Sequence, residues 1–210
     1  LDAAEKHLKD LGIDVMAIAA DMSDKSGVSA FVDQVLAKHS TIDILINNAG
    51  ATWGAPAEDY PDEAWDKVMN LNVDAVFYLT REVAKRCMIP QKSGKIITTA
   101  SIAGLSGNPE GMNTIAYNTS KGANVNFTRA LAAEWGKYNI NVNAICPGFF
   151  PSKMANGLLD AMGDKMLERI PLNRFGGEED MKGLTALLAT EAGRHITGQC
   201  IAIDGGTTVN

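Results

Sequence analysis

Five short aliphatic runs punctuate the chain: "DVMAIAA" (14–20), "IDILINN" (42–48), "KIITTA" (95–100), "INVNAICP" (140–147) and "QCIAID" (199–204). Each has the length of a strand rather than of a helix, and each reads as a strand buried on both faces. Helical periodicity fills the gaps. Leu1, Ala4, Leu8 and Leu11 share one face of a first helix, which Gly12 ends. Ser23 or Asp24 caps a second helix, with Val28, Phe31, Val32, Val35 and Leu36 inward. Pro61 and Asp62 open a long helix to about Met88, whose expected inner stripe is Trp65, Val68, Met69, Val73, Val76 and Phe77. Another helix carries Tyr117 and Lys121 and runs to about Tyr138, and further helices are expected near 154–168 and 177–190. Buried strands alternating with helices dictate a parallel sheet covered on both sides. The expected fold is therefore a doubly wound, three-layer α/β/α domain. No repeat, linker or low-complexity tract divides residues 1–210, so one domain is expected.

Composition narrows the function. A net charge of −6, with Lys and Arg scattered, argues against a nucleic-acid surface. No apolar run reaches bilayer length, and no leader-like segment opens the sequence, so no membrane role and a cytoplasmic location are expected. Cys87, Cys146 and Cys200 are far apart, as are His7, His39 and His195. That spacing suits neither a disulfide framework nor a metal site, and the cysteines read as small core residues in a reducing compartment.

In a parallel sheet, ligands gather at the carboxyl ends of the strands. Here those ends carry "NNAG" (47–50), Ser101 and "PGFF" (147–150). Tyr117 and Lys121, four residues apart, share a helix face. An ammonium beside a phenol favours the phenolate, so the pair is expected to lower the tyrosine pKa toward a value useful for proton transfer. Taken one at a time, each of these features is equally compatible with an ordinary turn, cap or surface pair.

In this order and spacing, Asp21, "NNAG", Asn72 in "MNLNVDAVF", Ser101 in "KIITTASIAG", Tyr117, Lys121, Pro147-Gly148 and "ITGQCIAIDGG" (196–206) resemble the short-chain dehydrogenase/reductase family over nearly the whole chain. The resemblance implies an NAD- or NADP-dependent oxidoreductase that interconverts a secondary alcohol and a ketone. Ser101 would hold the substrate oxygen, Tyr117 would act as general acid/base, Lys121 would tune the phenol and bind the nicotinamide ribose, and Asn72 would support a water beside Lys121. Asp21 and the Met22 backbone would meet the adenine. Asn48, Ala49 and Gly50 would pass beside the adenosine ribose, Pro147 and Gly148 would shape the nicotinamide pocket, and Ser152 would stand where the family usually has threonine. Phe149, Phe150, Met154, Leu158 and Trp53 would line an apolar-leaning substrate pocket, with Asn108, Glu110, Met112 and Asn113 bearing on specificity. The branches most resembled contain 3-oxoacyl-thioester reductases and sugar-acid dehydrogenases such as gluconate 5-dehydrogenase. Family members are mostly homotetramers, with helices 62–88 and 117–138 at the interfaces.

One departure is large. The family's opening strand and its T-G-x-x-x-G-x-G turn, which seats the pyrophosphate at a helix N-terminus, have no counterpart in the 210 residues. The chain is accordingly expected to lack the first strand–helix–strand unit and to be a partial sequence of a complete enzyme. As written it is expected to bind nicotinamide nucleotides weakly or not at all. A non-catalytic fragment or pseudoenzyme is the alternative. A sugar-nucleotide epimerase, which also uses Tyr-x-x-x-Lys, would need a larger C-terminal domain than the sequence contains.

Overall fold

Strands β1 (Ile44–Asn47), β2 (Gly94–Thr99), β3 (Ile140–Pro147) and β4 (Cys200–Ile203) lie side by side in that order, all parallel, in a computed structural model that describes residues 1–152 and 163–209. The helices are α1 (Asp2–Asp10), α2 (Lys25–Lys38), α3 (Asp62–Met69), α4 (Ala75–Val83), α5 (Ile89–Gln91), α6 (Ile115–Trp135), α7 (163–167) and α8 (Lys182–Ala189). The α2 helix starts at Asp24, whose carboxylate accepts from the Ser26 and Gly27 amides at 3.3 and 3.1 Å and so satisfies two orphan donors of the first turn.

Adjacent residues of β2 face opposite layers, as a pleat requires. Ile96 packs with Leu45, Ile140 and Val142 against Val32 of α2, Val83 of α4 and Leu131 and Ala132 of α6. Ile97 turns the other way and packs with Ile145 against Leu188 of α8. The expected three-layer Rossmann-like α/β arrangement is the one observed. Every residue of β3 from Ile140 to Cys146 is buried, which explains why "INVNAIC" is so short of charge.

Three expectations need correction. "DVMAIAA" (14–20) forms no ladder, and none of its residues is buried. A strand exists by exchanging hydrogen bonds with a neighbour, and an apolar run cannot supply its own partner. "IDILINN" is a strand only over Ile44–Asn47, and it is not buried on both faces: Ile44 and Ile46 are each 45% exposed. The inner stripe of the long helix is also displaced. Trp65 and Phe77 point outward, while Ala64, Val68, Asn72, Ala75, Val76, Thr80 and Val83 are buried. Trp65 lies off the buried face that Ala64 and Val68 define, and a π-helical turn at Asn70–Asp74 then shifts the 3.6-residue phase ahead of Phe77. Of the last two expected helices, 154–168 falls partly outside the described residues, and the other begins only at Lys182.

Candidate active site

Ser101 leaves the end of β2 in extended conformation, and its hydroxyl accepts from the Ala103 amide at 3.1 Å, capping the short 3-10 turn Ile102–Gly104. That turn is pressed onto α6. A Cβ on Gly104 would lie 2.5 Å from the carbonyl carbon and oxygen of Lys121, so only glycine permits the approach. Ser101 and Tyr117 thereby come together on the wall of one cleft, close enough for the serine hydroxyl to act on the phenol.

The buried side of α6 is unusually polar: Ser120, Lys121, Asn124 and Thr128 are all buried, and Ser120 and Asn124 meet Asn72. Lys121 is 4% exposed, and its ammonium donates to the Thr99 carbonyl at 2.6 Å and stands 5.4 Å from the centroid of the Tyr117 ring. Burial pulls its pKa from 10.5 down to about 8. The phenol of Tyr117 does not show the lowering expected from the sequence. Burial pushes it above its ordinary value, and the Ser101 hydroxyl beside it opposes that shift in part. Cys146, behind the site, is pushed up to about 11, chiefly by burial, and stays a neutral thiol.

Asn72, 1% exposed, sits inside the π-helical turn and acts as a clamp. Its side chain accepts from the Ala51 amide at 2.8 Å, and donates to the Ala51 carbonyl and to the Ser120 hydroxyl, each at 2.9 Å. Its own carbonyl accepts from the Asn124 amide group at 3.0 Å. The loop after β1 is thereby tied to α6. Asn48 accepts from the Thr99 hydroxyl at 3.1 Å, and Asn48 and Ala49 leave their surface open. At Gly50 a Cβ would stand 3.3 Å from the Asn72 carboxamide oxygen and 3.8 Å from the Lys121 ammonium, so bare backbone passes directly beside the cation.

A cleft of about 270 Å³ opens in front of Ser101 and Tyr117. Pro147, Gly148, Phe149, Phe150 and Ser152 form one wall, and Asn108 and Met112 belong to another. Gly148 is packed so that a Cβ would meet Asp204 at 2.8 Å, which locks the β3 end against the "DGG" turn. Asn108 is spent on structure: its amide group donates to the Met112 carbonyl, the Thr114 hydroxyl and the Asn118 carboxamide oxygen, each at 2.8 Å. Glu110, Asn113 and Trp53 do not line the cleft, and Met154 and Leu158 lie outside the described residues. Sequence reasoning missed Thr52, Thr207 and Arg169, which do line it. Their proximity to Tyr117 is purely tertiary, and no local pattern announces it.

Asp21 and Met22 stand apart from the cleft. The exposed Asp21 carboxylate accepts from the amide and hydroxyl of Ser23 at 2.9 and 2.6 Å, bonds that hold its pKa below the usual value. The residues that would meet a nicotinamide riboside fit such a group: an open strip at Asn48–Gly50, an ammonium reached past a glycine, and the Pro147–Gly148 wall beside a phenol.

Residues 1–208 match the family model described as enoyl-(acyl carrier protein) reductase. A 2-dehydro-3-deoxy-D-gluconate 5-dehydrogenase of Dickeya dadantii is 39% identical over 193 residues, covering 91% of this chain and 75% of the relative. A 3-oxoacyl-(acyl-carrier-protein) reductase of Staphylococcus epidermidis is 36% identical over 205 residues, covering 98% of this chain and 82% of the relative. Among solved structures, a gluconate 5-dehydrogenase from Burkholderia cenocepacia in complex with NADP and tartrate superposes with a TM-score of 0.93 at 30% identity, covering 99% of this chain and 81% of that one.

Proposed function

The chain belongs to the short-chain dehydrogenase/reductase family, NAD(P)-dependent oxidoreductases of CH–OH and keto groups, and from that premise we propose that its substrate is a sugar acid, oxidised or reduced at a secondary carbon. When bound, NAD or NADP supplies or receives the hydride. Tyr117 gives its phenolic proton to the substrate oxygen in reduction and takes it back in oxidation. The Ser101 hydroxyl donates to the same oxygen, where negative charge builds as the hydride arrives. Lys121 presents its ammonium to the ribose hydroxyls past Gly50. Asn72 is a positioning residue that holds the Ala51 backbone so that this approach stays open.

The observation that carries the proposal is the meeting of Ser101 and Tyr117 on the wall of one cleft, with a buried ammonium against the same tyrosine ring. A non-catalytic role would give no reason to keep a lysine 4% exposed at that spot. The two relatives point to different substrates, a deoxygluconate and an acyl carrier thioester. Acidic carrier proteins call for a basic docking face. The net charge is −6, and of Lys85, Arg86, Lys92 and Arg129, the residues from which a local basic face could form, Arg86 is already paired with Asp33 at 2.8 Å, which favours the sugar acid.

The proposal extends to a cytoplasmic homotetramer in which one domain holds each site. In support, Phe77 is 42% exposed and stacks edge-on with Phe127 at 6.4 Å, leaving an aromatic face on α4 and α6. No described helix is long and apolar enough to cross a membrane. The test is a substrate panel followed through the absorbance of the reduced nicotinamide, with NAD and NADP each offered gluconate-type acids and, separately, 3-oxoacyl thioesters. Turnover of the acids supports the proposal, and turnover of the thioesters alone overturns the choice of substrate.

A further inference from the structure

Among the described residues that line the cleft, a single side chain carries charge, Arg169, and no carboxylate is present. Its position is fixed from both sides. Met166 and Ile170 are 1% and 4% exposed, the Arg169 amide donates to the Met166 carbonyl at 3.1 Å, and the Leu172 amide donates to the Gly205 carbonyl at 3.1 Å. Gly205, at φ +63°, comes so close to Ile170 that a Cβ there would stand 2.6 Å from its methyl. The backbone bearing Arg169 is thus pinned to the "DGG" turn, which itself abuts Gly148 in the cleft wall. The other polar lining groups are partly engaged: Asn108 in the three bonds described above, the Thr114 hydroxyl with Asn118 at 3.0 Å, and the Thr207 hydroxyl with the Asp204 carbonyl at 2.6 Å.

We infer that Arg169 is the carboxylate anchor of this cleft, selecting short polyhydroxy acids over neutral polyols and over thioesters; the inference rests on the oxidoreductase reading of the same cleft. A guanidinium has five N–H donors in a planar fork that matches a carboxylate, so it can hold a protein neighbour and a substrate together. The acid end of the substrate would meet Arg169 while a secondary carbon met Ser101 and Tyr117. The acyl part of a 3-oxoacyl thioester carries no carboxylate to meet the guanidinium.

The experiment compares gluconate with gluconamide, which keeps the skeleton and loses the charge. Wild type, Arg169→Met and Arg169→Lys are assayed for kcat and KM on both, and ligand binding is read independently by saturation-transfer NMR. The expected result is a wild-type preference for the acid that falls by about tenfold or more in Arg169→Met, through KM rather than kcat, and is partly restored in Arg169→Lys. Equal losses on both compounds, an unchanged preference, or no difference in wild-type binding between the two would overturn it. If wild type turns over neither compound, the oxidoreductase reading of the sugar acid fails, and the binding contrast still decides the role of Arg169.

Discussion

Lys121 donates its ammonium to the Thr99 carbonyl, 2.6 Å away at the very end of β2, and this one bond holds a cation inside the fold. Burial lowers the folded-state pKa from 10.5 to about 8. Between those values the unfolded chain binds more protons than the folded one, so this group makes stability rise with pH across that window. Below about 8 the folded protein keeps the charge at a cost of up to about 3 kcal/mol, discounted by what the Thr99 bond returns. Lys121→Met is therefore expected to be more stable than wild type at pH 7, by about 1–2 kcal/mol in urea unfolding, and to lose that advantage near pH 10.5. The same variant should lose nucleotide affinity and turnover. A variant less stable at both pH values would show that the lysine is a structural asset.

Tyr117→Phe removes one oxygen and leaves the ring against Lys121. Turnover should fall about 10²–10⁴-fold, while nucleotide binding by calorimetry stays within about twofold. Because burial raises the phenol pKa, the wild-type rate in the oxidising direction should climb with pH throughout the alkaline range. Tyr117→Phe should flatten that climb. Ser101→Ala takes away the hydroxyl that holds the phenol pKa down, so the climb should move to still higher pH, with a rate loss of about 10²–10³-fold.

Much of this site can be read in the sequence, because strand ends in a parallel sheet are where side chains converge, and "NNAG", Ser101 and "PGFF" mark three of them. Helix geometry put Tyr117 and Lys121 on one face, and only their order with the other motifs, as a family resemblance, gave the pair a role. The electrostatics were not legible. Spacing says that two groups are near, but not that the ammonium is spent on the Thr99 carbonyl or that burial dominates the phenol. Nor is the π-helical turn at Asn72 legible, since nothing in "MNLNVDAVF" breaks a helix; it was the buried Asn72 clamp that the unbroken stripe could not foresee. Residues 14–20 failed for a different reason: an apolar run predicts burial only where a neighbour exists to pair with it.

Gly104→Ala tests the contact that brings Ser101 to Tyr117. A Cβ would lie 2.5 Å from the Lys121 carbonyl group and 2.8 Å from the Gly122 nitrogen, both backbone, so the 3-10 turn must back away from α6. A cost of about 1–3 kcal/mol in unfolding is expected. The catalytic loss should exceed the stability loss, because the turn carries Ser101 with it. Full activity with a lowered Tm would show that the serine is positioned by something else.

Asn72 offers the sharpest separation of structure from chemistry. Its side chain bonds the Ala51 amide, the Ala51 carbonyl and Ser120, and it reaches the same point beside Gly50 that Lys121 does, at 3.3 and 3.8 Å respectively. Asn72→Ala strands buried groups of Ala51 and should cost roughly 2–4 kcal/mol, with nucleotide affinity falling as the loop loosens. Asn72→Asp keeps the acceptor for the Ala51 amide but turns the donor facing the Ala51 carbonyl and Ser120 into a second acceptor. It also places a negative charge near the ammonium, which favours the charged lysine. The pKa of Lys121 should then move from about 8 back toward its ordinary value, visible as an alkaline shift of the pH at which nucleotide affinity declines. Loss of affinity without that shift would mean that Asn72 acts on the loop alone and has no electrostatic reach to Lys121.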